Sequence, residues 1–159
     1  MICSFTGHRK IIPAHKKRIF DLLSRAIEYA YNEGCRTFLS GGAIGFDTEA
    51  ARAVLLFKMA HPDVKLIMLL PCLSQDAYWT DSQRDAYNYL LRAADRVEYV
   101  SEQYTDDCMK KRNLRLAEMC DILIAYVGRG NSGSAQTMRF AQKMGKRVYN
   151  LYPTLEKNG

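Results

Sequence analysis

Two nearly unbroken apolar runs, Val64 to Leu70 and Ile122 to Val127, constrain the fold of this chain more than any other feature. A strand with one wet face alternates apolar and polar residues, whereas a strand that is apolar throughout must be covered on both faces. That arrangement belongs to the interior of a parallel sheet sandwiched by helices. Shorter strand-like runs are found at Ile2 to Phe5, Thr37 to Leu39, Asp95 to Val100 and Arg147 to Leu151. Between them lie stretches of helical periodicity. The first carries Ile19, Leu22, Leu23, Ala26, Ile27 and Ala30, with Pro13 suited to a first helical position and Gly34 to a stop. Thr48 to Ala60 forms the second, broken by His61-Pro62-Asp63, and Tyr87, Leu90, Leu91 and Ala94 mark the third. A fourth faces inward through Met109, Leu116 and Met119, with Thr105 and Asp106 as candidate caps, and a fifth carries Ala135, Met138, Phe140 and Ala141. Strand and helix alternate with connections too long for hairpins, which predicts a doubly wound, mainly parallel α/β sheet with helices on both faces. Pro153 to Gly159 carries little signal.

At 159 residues and 48% hydrophobic content, the chain is expected to form one domain over residues 1–159. The apolar runs fall far short of the ~20 residues that span a bilayer, so no membrane partner is expected. The N-terminal stretch shows no signal-peptide core, and a cytoplasmic location is expected. Five cysteines with no C-x-x-C and no histidine at ligand spacing read as reduced, mostly buried thiols and not as a metal site. The net charge of +6 fits a polyanionic partner, either a small phosphorylated ligand or a nucleic acid. Its basic residues cluster at Lys16-Lys17-Arg18, Lys110-Lys111-Arg112-Arg115 and Lys143-Lys146-Arg147, where solvated helix faces explain most of them.

Three turns follow predicted strands at the end where open α/β sheets bind ligands: Thr6-Gly7-His8-Arg9, Ser40 to Asp47, and Gly128 to Ser134. The second, Ser40-Gly41-Gly42-Ala43-Ile44-Gly45-Phe46-Asp47, reads as strand, glycine turn and helix start. Glycines admit a tight turn and close approach, and a helix N-terminus offers unpaired N–H groups to an anion. No Gly-Lys-Ser/Thr follows, which excludes a P-loop, and Gly-Gly-x-x-Gly after the second strand is not the dinucleotide fingerprint. A purely structural strand-to-helix connection at Gly41, Gly42 and Gly45 is the competing reading.

Together with Ser132-Gly133-Ser134, these turns resemble the YpsA-like branch of the SLOG superfamily, which also holds the DprA/Smf proteins and the LOG phosphoribohydrolases. The resemblance covers nearly the whole chain. It extends to Gln75 and Trp79 after Pro71, to Val100-Ser101-Glu102-x-Tyr104, and to Lys111-Arg112-Asn113 ahead of Cys120-Asp121-Ile122-Leu123-Ile124-Ala125. It implies a Rossmann-like fold and a nucleotide or nucleotide-derived ligand; the habits of the superfamily point to a homodimer. In two respects the chain departs from its relatives. LOG enzymes carry a glutamate three residues after their Gly-Thr, where this chain has Gly133-Ser134 and then Thr137, and there is no room for the additional modules common in DprA proteins.

Among single residues, Asp47 is placed to accept hydrogen bonds from ribose hydroxyls, or simply to favour a helix start. His8 and Arg9 are candidates for phosphate or base. Arg112 offers a planar fork to phosphate or to a carboxylate such as Asp121, with Asn113 beside it. Trp79 suits stacking on a base or covering the core edge; Tyr78, Tyr104 and Tyr126 are weaker stacking candidates and better rim or core packers. The expected ligand site therefore comprises Thr6, Gly7, His8, Arg9, Ser40, Gly41, Gly42, Gly45, Asp47, Trp79, Arg112, Asn113, Gly130, Ser132, Gly133 and Ser134. Its expected occupant is a nucleotide, ADP-ribose or NAD, with a binding or sensor role and no catalytic residue. Cleavage of a nucleotide N-glycosidic bond and nucleic-acid binding are the alternatives.

Overall fold

The computed structural model describes residues 1–128 and 130–157. Its elements follow the order β1 (Ile2–Gly7), a 3-10 turn (Pro13–His15), α1 (Lys16–Asn32), β2 (Thr37–Ser40), α2 (Phe46–Ala60), β3 (Lys65–Leu70), α3 (Asp81–Ala93), β4 (Arg96–Tyr99), α4 (Cys108–Met119), β5 (Ile122–Tyr126), α5 (Gly133–Lys143), β6 (Arg147–Asn150) and α6 (Tyr152–Lys157). The six strands form one sheet in the order β4-β3-β2-β1-β5-β6, and every pair is parallel. This is the expected doubly wound, Rossmann-like α/β architecture.

Period-two alternation divides each strand between two helical layers. Cys3, Phe5, Phe38, Leu66, Met68, Leu70, Ile122, Ile124 and Tyr126 face a core built with Leu23 and Ile27 of α1, Ala50 and Val54 of α2, Leu90 of α3 and Leu155 of α6. The opposite face packs Leu39, Ile67 and Leu69 on Leu116 of α4, and Ala125 and Val127 on Ala135 of α5. The two apolar runs that dominated the sequence are thus buried on both sides, as their composition requires.

Local chemistry sets most boundaries. Thr80 and Gln83 form a reciprocal capping box at the start of α3, and Ser132 accepts from Ala135 N at the start of α5. α4 departs from expectation. It begins at Cys108 with no side-chain cap, because the Thr105 hydroxyl donates to Asp107 Oδ1 at 3.0 Å instead of turning to the helix. The tail, silent in sequence, forms α6 through residue 157, with Leu155 fully buried; Asn158 and Gly159 lie outside the described residues. No helix among the described residues is long and apolar enough to cross a membrane, and all five cysteines are buried and unbridged.

The sheet order fixes where a crevice opens. From β1 the chain steps outward through β2, β3 and β4, then crosses back to lay β5 on the other side of β1. The crossovers on the two sides of β1 diverge, and the carboxyl ends of β1 and β5 are left uncovered.

Candidate functional site

A cleft of about 450 Å3 lies at that switch point. Its β1 wall is Thr6, Gly7, His8 and Arg9; α2 contributes Asp47 and the turn before it Ala43; α4 contributes Met109, Arg112, Asn113 and Leu116; and the start of α5 contributes Ser132, Gly133 and Ser134. Ten of the expected site residues therefore share one cavity: Thr6, Gly7, His8, Arg9, Asp47, Arg112, Asn113, Ser132, Gly133 and Ser134.

The centre of the cleft holds two buried charges. Arg112 and Asp47 are each 5% exposed, in a region where an isolated charge is costly. The Arg112 guanidinium donates through Nη1 to Gly41 O and to Gln75 Oε1 (3.4 Å), and through Nε to Asn113 Oδ1 (2.9 Å). Among the described residues its Nη2 meets only the Met109 thioether, at 3.8 Å, and Arg112 forms no ion pair. Asp121, the carboxylate considered for it from sequence, instead accepts from Ile2 N at 2.8 Å, across the start of β1. Asp47 Oδ2 accepts from Ala43 N at 3.3 Å, while Asp47 Oδ1 is buried with no hydrogen-bond partner among the described residues. Burial raises the Asp47 carboxyl to about 6, against the opposing pull of Arg112, the Ala43 N–H and Arg9.

The glycine turn builds this centre without cradling an anion itself. Gly42 N donates to Ser40 Oγ at 3.2 Å, Ser40 Oγ to Asp47 O at 3.0 Å, and Ala43 N to Asp47, so these donors are turned inward. Gly41 is required by close approach: a Cβ there would stand 2.7 Å from Arg112 Nη1 and 3.0 Å from Asp47 Oδ2. Gly45 is required by backbone, with φ of 82° and the Arg9 carbonyl packed where its side chain would be. Ser40, Gly42 and Gly45 thus shape the cleft from behind and do not line it; Gly42 faces Leu70, Met68 and Tyr87.

The α5 rim is better placed for an anion. Gly128 N donates to His8 Nε2 at 2.7 Å. An amide N–H only donates, so the neutral imidazole carries its proton on Nδ1 and donates it to Ser134 Oγ at 3.3 Å. Burial lowers the His8 pKa and so favours this neutral form. His8 in this tautomer cannot act as a base toward Ser134. The serine hydroxyl lies 3.0 Å from Ser132 Oγ, which also accepts from Ala135 N at 3.1 Å. Either hydroxyl can donate in that pair, and together they close the first turn of α5 beside its N-terminus. Asn113 Nδ2 donates to Gly133 O at 3.4 Å and ties this rim to α4. Gly130, with φ of 102°, belongs to the same turn without lining the cleft, and Arg129 beside it lies outside the described residues.

Trp79 does not reach the cleft. It packs edge-on against Tyr87 at 4.9 Å and covers the rim of the core, because the segment after β3 turns toward α3. Tyr78 and Tyr104 are exposed, and Tyr126 stacks within the core on Phe46 at 5.6 Å. Sequence reasoning placed Met109 and Leu116 in the core and gave Gln75 no role. Met109, Arg112, Asn113 and Leu116 stand at i, i+3, i+4 and i+7, so one helix face carries all four into the cleft; that spacing was the available signal.

A family model described as the YspA SLOG family (YpsA) matches residues 7–153. The chain belongs to this family. Among relatives of the YpsA family chain, the uncharacterized SPbeta prophage-derived protein YoqJ of Bacillus subtilis is 27% identical over 146 residues, 83% of this chain and 85% of that protein. The UPF0398 protein BH1768 of Halalkalibacterium halodurans is also 27% identical, over 139 residues, 84% of this chain and 74% of that protein. Among solved structures, DNA processing protein A of Helicobacter pylori, described for its single-stranded DNA binding mode, superposes with a TM-score of 0.65 at 25% identity over 93% of this chain. DNA processing protein A of Streptococcus pneumoniae gives 0.67 at 21% identity, also over 93% of this chain. The YpsA family chain spans 63% and 49% of those two chains, respectively.

Proposed function

We propose that this protein binds a phosphorylated nucleotide or nucleotide derivative in the β1/β5 cleft. Arg112 carries the reading. The Asp47 carboxylate acts on this buried guanidinium without a hydrogen bond; the oxygens that accept from it are all neutral, one terminal nitrogen faces only a thioether among the described residues, and a bound anion supplies the missing acceptor. The phosphate lies among Arg112, Arg9 and the first turn of α5, where a helix N-terminus offers unpaired N–H groups. This differs from the expectation that the Ser40 to Asp47 turn offers its N–H groups to an anion, since the Gly42 and Ala43 N–H groups are already engaged.

A thermal-shift panel of adenine nucleotides, ADP-ribose, NAD and nucleoside monophosphates tests the proposal. Binding to the native state must raise its midpoint, and at least one compound is expected to do so at millimolar concentration. A flat panel removes the reading. No release of base or ribose phosphate is expected from the same mixtures, because the position that would carry a catalytic glutamate is Thr137, whose hydroxyl donates back to Gly133 O at 3.0 Å. The likeness to DNA processing protein A and the charge of +6 favour nucleic acid as the second reading, and its signature is affinity that falls steeply with salt.

A further inference from the structure

The other end of the cleft specifies the sugar. We infer that the site selects a ribonucleotide over its deoxyribonucleotide, with the Asp47 carboxylate accepting from the ribose cis-diol; this rests on the binding reading above.

Asp47 is 5% exposed and lines the cleft, yet Oδ1 has no partner among the described residues, while Oδ2 is held by Ala43 N. A carboxylate oxygen only accepts, so its missing partner is a donor. A cationic donor is disfavoured because Arg112 and Arg9 already act on this carboxylate, and phosphate is disfavoured by its charge. Neutral hydroxyls remain. Adjacent hydroxyls suit a carboxylate best, since two neighbouring donors can be shared between its two oxygens. The donor edge of a guanine is the competing neutral group, but the cleft lining holds no ring except His8, which is already fixed edge-on to Tyr126 and Tyr152 at 5.8 and 6.1 Å. A base is better accommodated on the Met109 and Leu116 side than against Asp47. The DNA backbone offers this carboxylate no hydroxyl: it has no 2′-hydroxyl, and its internal 3′-oxygens are esterified. The cleft therefore favours a ribonucleotide with a free diol over a DNA sugar.

Calorimetric titration of the full chain at pH 7.5 with AMP, ADP, GMP, CMP and UMP, each beside its 2′-deoxy form, tests the assignment. Every ribonucleotide that binds is expected to do so at least tenfold more tightly than its deoxy form. Asp47→Asn should reduce that ratio below threefold while deoxynucleotide affinity changes little, a result that a purely structural role for Asp47 would not give. Equal affinity of ribo and deoxy forms for the wild type overturns the sugar selection and leaves the binding reading standing; so does a preference confined to GMP and dGMP alike. The wild-type comparison decides the matter even if the variant fails to fold. If no nucleotide of either sugar binds, the sugar selection and the binding reading fall together.

Discussion

Asp47 makes the clearest case at the scale of one residue, because the burial on which its proposed ligand role rests also destabilises the folded protein. Its folded pKa of about 6 lies above the ordinary 3.8, so the folded state holds the proton more tightly than the unfolded chain does. Below about pH 3.8 both states carry it and above about 6 neither does; between the two, stability falls as pH rises. At about 1.4 kcal/mol per pH unit, that window costs about 3 kcal/mol. Asp47→Asn is therefore expected to be more stable than wild type at pH 7.5 by up to about 3 kcal/mol, with the gain vanishing near pH 4. Urea unfolding of both proteins across this range measures it, and comparing the pair cancels His8, whose lowered pKa acts in the opposite direction. Parallel stability curves would show that the Asp47 carboxyl is not strained by burial. A gain in stability with a loss of ribonucleotide affinity is the usual exchange at a binding site.

At the scale of elements, α6 carries the sharpest prediction. Leu155 is fully buried beneath α1, and Glu156 accepts from His15 Nε2 at 2.9 Å while the other nitrogen of that ring meets the Tyr126 hydroxyl at 2.7 Å. Leu155→Ala should cost about 2 to 5 kcal/mol, as large-to-small core changes do, and equilibrium unfolding will show it. A change under about 0.5 kcal/mol would mean that α6 is not docked. Nothing in the sequence announced this helix, since six residues containing Pro153 are too few to display a period. The legible elements were those in which one requirement dominated: β3 and β5 are apolar because both faces are covered, and α1 buries Ile19, Leu23, Ile27 and Ala30 on one stripe. The site was legible where turns follow strands, at Thr6 to Arg9 and Ser132 to Ser134. It was least legible on α4, because a basic run reads as solvated. Lys110, Lys111 and Arg115 do stand in solvent, but Arg112 and Asn113 turn inward, and the two apolar residues that mark their face, Met109 and Leu116, are too few to outweigh the basic run.

Across the whole molecule, the positive charge does not form one track. In a parallel sheet each helix starts at the carboxyl rim and ends at the opposite rim, so Lys16, Lys17, Lys110 and Lys111 stand at one end, and Lys143, Lys146 and Arg147 at the other. Arg147 is moreover paired with Glu33. A short oligonucleotide cannot follow both groups, and its apparent affinity is expected to change by less than about tenfold between 50 and 200 mM salt, well below the range for proteins that neutralise six or more phosphates. Filter binding at the two salts checks this, and a steep slope would favour the nucleic-acid reading. The strand order has one more consequence, for how the protein comes into being. β1 lies beside β2 in space and in sequence, yet its other neighbour, β5, pairs Cys3 with Ile122. During synthesis the first three strands and their helices can assemble while the ribosome is still working, but the β1/β5 seam waits until the chain is nearly all made. Such distant pairing is slow, and until it closes one flank of β1 is an open edge. A nascent chain therefore has most of its sheet before the β1/β5 cleft exists, and under the proposed nucleotide reading a ligand acts only on the last folding step.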